Sequence, residues 1–154
     1  MNSLAEIIST IPMIRDIKDP TRTNVSQILE GMAMPERIKA GTRLFAEGED
    51  LDGHTGIILL DGEAAITHDD IKPKTISAPE LLGEMMQFKD TAQRLATVTV
   101  STDATILRFS WDEFVRRVMN NPIISHSDQQ TICKVFKRYA GKRLEELEQT
   151  TPPT

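Results

Sequence analysis

Short apolar segments separated by glycine or polar turns recur about every ten residues between Ile38 and Phe109, a spacing typical of an antiparallel β-sandwich or barrel. Strands are predicted at Thr42–Phe45, Gly56–Leu60, Glu63–Thr67, Ala96–Val100 and Thr105–Phe109. The pair Asp61-Gly62 separates the second of these strands from the third, and both residue types tolerate the positive φ of a tight turn. The sequence therefore predicts a hairpin at Asp61-Gly62 within a mainly β region.

Helical periodicity precedes this β region. Ser3 and Glu6 have the spacing of a capping box, which starts a helix that Pro12 is expected to stop. The apolar stripe of this helix consists of Leu4, Ile7, Ile8 and Ile11. The stripe of a second helix, which ends before Pro35, consists of Val25, Ile28, Leu29 and Met32. We therefore expect two small N-terminal helices.

Helical periodicity also follows the β region. Ser110 and Glu113 form another capping box, and the helix that they start is broken at Asn120-Asn121-Pro122. Its apolar face consists of Trp111, Phe114, Val115 and Val118. Ser127 with Gln130 is expected to cap a last helix of about five turns. The apolar stripe of the last helix consists of Ile132, Val135, Phe136, Tyr139, Leu144 and Leu147.

The 154 residues are enough for one ordinary globular domain and too few for two. We expect a single domain at 1–149, with N-terminal helices at 1–36, a β-barrel at 37–109 and C-terminal helices at 110–149. Residues 150–154 are expected to form a flexible tail. The predicted fold class is therefore mainly β with flanking helices (α+β).

Charge and cysteine content limit the partners and the compartment. Lys and Arg number 18 against 23 Asp and Glu, so the chain lacks the positive field that attracts DNA or an anionic membrane. The single cysteine, Cys133, fits a reducing compartment, and its place on the last helix predicts a core residue rather than a nucleophile. The first residues lack a signal-peptide pattern, and no run approaches the roughly 18 apolar residues of a membrane span. We therefore expect a cytoplasmic protein without DNA or membrane as partner.

Residues 79–97 combine a glycine, a carboxylate and an arginine in a connection that interrupts the strand pattern. Gly83 and Glu84 open the segment, and Arg94 follows ten residues after the carboxylate, just before a strand. Free backbone N–H groups cradle an anion, and a guanidinium binds a phosphate with two parallel hydrogen bonds. A carboxylate accepts hydrogen bonds from hydroxyls such as those of ribose. The combination predicts a nucleotide site, although two such charges on a surface connection are usually only solvated.

Three further motifs, in their order along the chain, resemble those of a known family. Lys39–Glu49 is similar to the family's entry strand, Ile58–Glu63 to its central hairpin and Phe109–Phe114 to the end of its barrel. Together with the spacing of the carboxylate and the arginine, they make the chain from Leu4 to Leu147 resemble the cyclic nucleotide-binding domain family. The resemblance implies a jelly-roll β-barrel, eight-stranded or similar, with two N-terminal and two C-terminal helices.

The resemblance also implies a binding site and a signalling function. Glu84 would accept a hydrogen bond from the ribose 2′-hydroxyl of cAMP or cGMP, and Arg94 would pair with the cyclic phosphate. Backbone amides around Met85 and Met86 would assist, and Gly83 would permit the tight turn. The remaining positions of the implied site are Leu95 and Ala96. The last helix would cover the base and relay occupancy to a partner protein, and no cofactor beyond this ligand is expected.

Two departures from the family pattern support an alternative function. Met86 stands where a small residue is usual, and its bulk is expected to fill part of the phosphate space; Leu95 stands where members commonly have Ser, Thr or Ala, and it cannot donate a hydrogen bond to the phosphate. The alternative is a nucleotide-free interaction or dimerisation module with the same fold. The apolar stripe of the last helix suits either closure over the barrel or pairing with a second copy, and both uses stay open.

Other chemistry has less support in the sequence. His54, His68 and His126 are scattered among polar residues, whereas the metal site of a cupin-like barrel needs clustered ligands, so no metal site is predicted. The chain has no nucleophile elbow, P-loop or dinucleotide fingerprint, so we predict no catalytic residue and no enzyme activity. About ten residues follow Leu144, too few for the helix-turn-helix module of transcriptional relatives.

Overall fold

The computed structural model describes residues 3–45, 55–67, 73–82 and 97–149. Their helices are α1 (Leu4–Ser9), α2 (Pro12–Arg15), α3 (Thr21–Met32), α4 (Trp111–Met119) and α5 (His126–Gln149). Their strands are β1 (Glu36–Ile38), β2 (Arg43–Phe45), β3 (Thr55–Asp61), β4 (Glu63–Thr67), β5 (Lys74–Ser77), β6 (Glu80–Leu82), β7 (Thr97–Val100) and β8 (Ala104–Ser110). Within these residues, every helix is too short or too polar to span a lipid bilayer.

The eight strands form two antiparallel sheets of four. One sheet has the order β1-β8-β3-β6, and we call it the helix-covered sheet. The other has the order β2-β7-β4-β5, and we call it the open-faced sheet. Two stacked four-stranded sheets with these orders form a jelly roll, so the predicted fold class is confirmed.

Two clusters of buried side chains lie on opposite faces of the helix-covered sheet. The inter-sheet cluster consists of Ile57, Leu59, Ala64, Ile66, Leu82, Val98, Val100, Ala104 and Ile106. In the helix-layer cluster, residues of α1–α5 pack against Ile58, Leu81, Leu107 and Phe109. Consecutive residues of a strand point to opposite faces, so Ile57 enters one cluster and Ile58 the other. The sheet is therefore the middle layer of a three-layer structure.

The expected hairpin at Asp61-Gly62 is wrong, although the turn is present. β3 pairs with β6 and β8, whereas β4 pairs with β5 and β7, so the chain passes from one sheet to the other at Gly62. The φ of Gly62 is +100°, and a Cβ there would lie 2.8 Å from the carbonyl oxygen of Asp103. The turn residues predicted the bend correctly, but they do not specify which strands pair across it.

The helix ends also differ from expectation at two places. The first helix, α1, ends at Ser9, before Pro12 as expected, but Pro12 is also the first residue of α2, where the missing N–H of proline costs nothing, so three helices and not two precede the strands. Ser125, not Ser127, caps α5, because its Oγ accepts a hydrogen bond from the backbone N of Asp128 at 3.1 Å. The caps at Ser3 and Ser110 are confirmed, each accepting from the backbone N three residues later at 3.2 Å.

Candidate functional site

One end of the sandwich is closed by four short connections between the sheets. They are residues 39–42, Gly62, residues 78–79 and residues 101–103, and each joins a strand of one sheet to a strand of the other. Backbone hydrogen bonds tie them together: Gly41 N donates to Val100 O at 2.8 Å, and Ala78 N donates to Gly62 O at 3.0 Å. We call this the closed end of the sandwich.

The opposite end, which we call the loop end, is where three longer connections start and finish. The register places Thr67 opposite Thr97 and Ile57 opposite Leu82, at the far ends of their strands from Gly62. The connections 46–54, 68–72 and 83–96 are attached to strand ends on this side. Binding residues concentrate in loops that a rigid scaffold positions, so the loop end is the candidate functional end of the molecule.

The segment 83–96 joins the two sheets across the loop end. It follows Leu82, at the end of β6 in the helix-covered sheet, and it leads to Thr97, at the start of β7 in the open-faced sheet. Leu82 and Val98 both belong to the inter-sheet cluster, with side chains 1% and 6% exposed. The strands on both sides of the segment are therefore anchored in the apolar core, at Leu82 itself and at Val98, next to Thr97.

The predicted ligand residues all fall in this segment. They are Gly83, Glu84, Met85, Met86, Arg94, Leu95 and Ala96, and they lie outside the described residues. Their roles therefore stay predictions. What the structure establishes is the position of the strands that hold them, at the loop end and on two different sheets.

The last helix is attached to the helix layer through its first half. Ile132, Val135 and Phe136 are buried in the helix-layer cluster, and the ring of Phe136 stacks on Phe114 with centroids 5.8 Å apart. Arg138 forms an ion pair with Asp16, just after α2, at 3.1 Å. Movement of this half of α5 would therefore disturb the packing of α4 and the N-terminal helices as well.

Gln129 is a structural residue that the sequence did not predict. Its side-chain Nε2 lies 3.3 Å from both Val118 O and Met119 O and 3.4 Å from Ile124 O. It therefore connects the carbonyls at the end of α4 to the first turn of α5. No sequence pattern predicts that a glutamine forms these hydrogen bonds, because the acceptors are backbone carbonyls whose position depends on the turn between the helices.

Cys133 and the three histidines were also considered from the sequence, and the structure describes Cys133 and His126. Cys133 is exposed, so its predicted place in the core is wrong: it lies on α5 beside the buried Ile132 but faces outwards. His126 is near Gln130, with 3.2 Å between the two side-chain nitrogens, and His54 and His68 lie outside the described residues. Across ranges 3–45, 55–67, 73–82 and 97–149, no three His, Cys, Asp or Glu side chains are grouped to hold a metal ion.

Two carboxyl groups with a lowered pKa lie in the helix layer rather than at the loop end. A hydrogen bond from the Thr23 hydroxyl, aided by Arg22, holds the pKa of Asp19 below its usual value. Hydrogen bonds from Arg116 and Arg117 do the same for the pKa of Glu113. Both groups stabilise helix ends or helix surfaces, which is a structural role.

The chain matches the family model of the cyclic nucleotide-binding domain over residues 35–121. It is similar in structure to the sensor domain of the transcriptional regulator DNR from Pseudomonas aeruginosa, with a TM-score of 0.65 and 18% identity over 97% of this chain and 99% of that one. It is also similar to PKAR CBD2 with Sp-2Cl-cAMPS bound, with a TM-score of 0.61 and 24% identity over 88% of each chain.

A third similar structure comes from work on a cyclic-GMP-dependent signalling pathway that regulates bacterial phytopathogenesis. The TM-score is 0.60 and the identity 21%, over 78% of this chain and 90% of that chain. No curated protein matches the chain in sequence. Identities this low establish the shared fold, while the family model, which spans more than half of the 154 residues, establishes the family.

Proposed function

Because the chain belongs to the cyclic nucleotide-binding domain family, we propose that it is a cytoplasmic regulatory module that binds cAMP or cGMP and relays occupancy through α5 to a partner protein. The single observation that carries this proposal is that β6 and β7, the strands that flank residues 83–96, lie in different sheets and are joined at the loop end. Residues 83–96 contain both predicted ligand side chains and lie within the matched range 35–121.

In the proposed site, Arg94 pairs with the cyclic phosphate and Glu84 accepts a hydrogen bond from the ribose 2′-hydroxyl. Backbone amides around Met85 and Met86 donate to the phosphate oxygens, and Gly83 allows the close turn. We assign no catalytic step to these residues, because a guanidinium and a carboxylate in these positions bind and orient the ligand without changing its bonds.

The proposed relay starts where the segment leaves β6. Leu81 belongs to the helix-layer cluster and Leu82 to the inter-sheet cluster, so the strand that precedes the ligand segment packs against both. A ligand that prefers one arrangement of the segment shifts the population of any α4 and α5 arrangement coupled to it. The coupling passes through packed side chains, which favour a small number of discrete arrangements over a gradual deformation.

Isothermal titration calorimetry with cAMP and with cGMP tests the proposal. We expect a dissociation constant in the micromolar range, about −8 kcal/mol of binding free energy. Replacement of Arg94 by Ala should weaken binding by about 10- to 150-fold, since a hydrogen bond to a charged group is worth roughly 1.5–3 kcal/mol. Arg37→Ala, on the exposed edge strand β1, is the matched control and should leave the affinity unchanged. Absence of heat with both nucleotides would contradict the proposal.

The alternative, a nucleotide-free module, is supported by the bulk of Met86 and Leu95. In that case the natural chain binds neither nucleotide, whereas the double variant Met86→Ala, Leu95→Ser gains binding. The same titration distinguishes the two functions, because the alternative fails as soon as the natural chain binds either nucleotide.

A further inference from the structure

A groove lies between the end of α4 and the start of α5. It has a volume of about 430 Å³ and is lined by Met119, His126, Gln129, Gln130, Cys133 and Lys134. Three apolar side chains on α4 and on the turn after it are exposed: Val115 by 40%, Met119 by 52% and Ile123 by 72%. Val115 and Met119 are one turn apart and so share a helix face. The groove and this apolar face together form a surface that we call the α4–α5 surface.

A smaller apolar pocket adjoins the groove. Its volume is about 40 Å³, and it shares Met119, Gln129 and Cys133 with the groove. The remaining lining residues lead into the aromatic part of the helix-layer cluster: Trp111, Phe114, Val115, Val118, Ile132 and Phe136. The volume suits the tip of one aliphatic side chain, since a single water molecule occupies about 30 Å³ in the liquid. An anchor residue of a partner therefore has a ready apolar pocket here.

Internal contacts hold the two walls of the groove together. The amide of Gln129 reaches three carbonyl oxygens at the end of α4 and in the turn, at 3.3–3.4 Å. The rings of Phe114 and Phe136 join the same two helices from the buried side. A surface held in this way loses little conformational entropy when a partner binds, which favours binding.

Among the described residues that line the groove, Lys134 carries a positive charge and none is acidic, whereas the chain as a whole has a net charge of −5. Residues 111–138 carry five Lys and Arg against three Asp and Glu, in a chain with 18 against 23. On α4, Arg116 and Arg117 pair with Glu113, while Lys134 lines the groove itself. The sequence of α5 continues with Lys137, Arg138, Lys142 and Arg143.

This charge pattern identifies the kind of occupant. A second copy packed on this groove about a two-fold axis would bring the Lys134 side chains of both copies into one interface, and like charges across an interface are costly. A flat anionic membrane suits the charge but not the concave groove with its side pocket. A helix with an apolar stripe and acidic flanks fits both the groove and its charge.

We propose that the α4–α5 surface is a docking site for an amphipathic, acidic helix of a partner protein. Apolar residues at i, i+3 and i+4 of that helix pack on Val115 and Met119 and reach the side pocket, and a flanking carboxylate pairs with Lys134. The proposal goes beyond the proposed nucleotide function by naming the surface that receives the partner. Its test needs no nucleotide, so failure of either proposal is seen separately.

The test uses the full chain and two synthetic helical peptides of roughly 16 residues, with the same leucine stripe and with either Glu or Lys on both flanks. By fluorescence anisotropy we expect the Glu peptide to bind one-to-one and at least about tenfold more tightly than the Lys peptide. Met119→Glu should weaken the Glu peptide by about tenfold or more, whereas Met34→Glu, at a methionine that is 81% exposed and does not line the groove, should not.

Lys134→Glu provides the sharper variant, because it changes charge at an exposed position and should not affect folding. It is expected to reverse the preference in favour of the Lys peptide. The proposal is overturned if neither peptide binds, if both bind equally, or if Met34→Glu is as harmful as Met119→Glu. It is also overturned if the chain is a dimer that Met119→Glu dissociates, or if the surface binds anionic phosphatidylserine vesicles in preference to the Glu peptide.

Discussion

The helix-covered sheet and the open-faced sheet have the same number of strands but different sequence patterns. In β3 of the helix-covered sheet, four consecutive residues, 56–59, are buried. In β7 of the open-faced sheet, burial alternates, with Val98 and Val100 buried and Thr97 and Thr99 half-buried. Continuous burial is typical of a sheet covered on both faces, and alternation is typical of one with a face towards water.

This difference indicates where the molecule is rigid and where it can transmit a change. The helix-covered sheet contributes side chains to both clusters, so a shift of its edge strand β6 changes the packing in both of them. The open-faced sheet contributes to the inter-sheet cluster alone. The segment 83–96 is attached to one sheet of each kind, and its entry through β6 is the more direct route to the helices.

The largest expected change in the free energy of unfolding is for a substitution in the helix layer that covers the helix-covered sheet. Phe114 is 2% exposed and its ring contacts Phe109, Trp111 and Phe136. Phe114→Ala should lower the free energy of unfolding by about 3–5 kcal/mol, because it leaves a cavity among these rings. Urea denaturation measures the change. The neighbouring Val115→Ala, at a side chain that is 40% exposed, should change it by less than about 0.5 kcal/mol. Similar values for both would mean that the helices do not cover the sheet as described.

A second test adds atoms between the helix-covered sheet and its helices. A Cβ at Gly56 would lie 2.5 Å from Phe109 Cζ and 2.7 Å from Trp111 Nε1. Gly56→Ala should therefore cost about 1–3 kcal/mol through overpacking. Gly31→Ala in α3 meets only the Arg117 side chain at 4.0 Å and should stabilise by about 0.4–1 kcal/mol. Thermal unfolding of both variants checks whether the changes in stability have opposite signs. A Gly56→Ala variant as stable as the natural chain would show that the aromatic rings move aside without cost.

The sequence predicted elements whose pattern was strong and missed those whose pattern was weak. β3, β4, β7 and β8 have clear apolar patterns and were predicted to within one or two residues. β1 and β5 are mostly exposed, and each has a single half-buried residue, Ile38 and Ile76 respectively, so their sequences have no apolar period. The sequence also did not predict which strands belong to the same sheet, because a turn such as that at Gly62 can connect two strands of one sheet or two strands of different sheets.

The candidate site was predictable in position more than in detail. The long connection predicted from Pro79 to Gln93 was wrong at its start, because Glu80–Leu82 form β6 and pair with β3. The structure places the attachment points of the remaining segment, 83–96, at the loop end on two sheets. The exposure of Cys133 was missed because it is next to the buried Ile132, and one residue along a helix turns a side chain by about 100°. The α4–α5 groove had no sequence signal, since it depends on the angle at which two helices meet.

A third test compares consecutive residues within each sheet. Ile57→Val and Ile58→Val should each cost about 0.5–1.5 kcal/mol, because both faces of the helix-covered sheet are buried. In the open-faced sheet, Val100→Ala should cost about 1.5 kcal/mol for its two lost methyl groups, whereas Thr99→Ala should stay within about 0.5 kcal/mol. Chemical denaturation of the four variants measures the costs. Equal costs at positions 99 and 100 would show that the open-faced sheet is covered on its outer face as well.

The smallest expected effect is a pH dependence confined to the helix layer. The pKa of Asp19 is lowered from 3.8, chiefly by the Thr23 hydroxyl, and that of Glu113 is lowered from 4.5, chiefly by Arg116. A carboxyl with a lower pKa in the folded state contributes stability above its unfolded pKa and loses it as pH falls through the folded value. Stability should therefore decrease below about pH 4.5, and the variants Asp19→Asn and Glu113→Gln should each show a shallower decrease.

Hydrogen exchange at pH 5 and pH 3.5 locates this loss, with exchange rates corrected for the intrinsic effect of pH. Asp19 Oδ1 accepts from the backbone N of Thr23 at 3.2 Å, and Glu113 lies in the first turn of α4, so protonation weakens α3 and α4 first. Amides of β4 and β7, which belong to the open-faced sheet, should keep their protection at the lower pH. Equal loss of protection in both regions would mean that the helix layer and the open-faced sheet unfold as one unit. Earlier loss in the helix layer would instead show that acid weakens α3 and α4 before the sheets, at the helix end and helix surface that these two carboxyl groups stabilise.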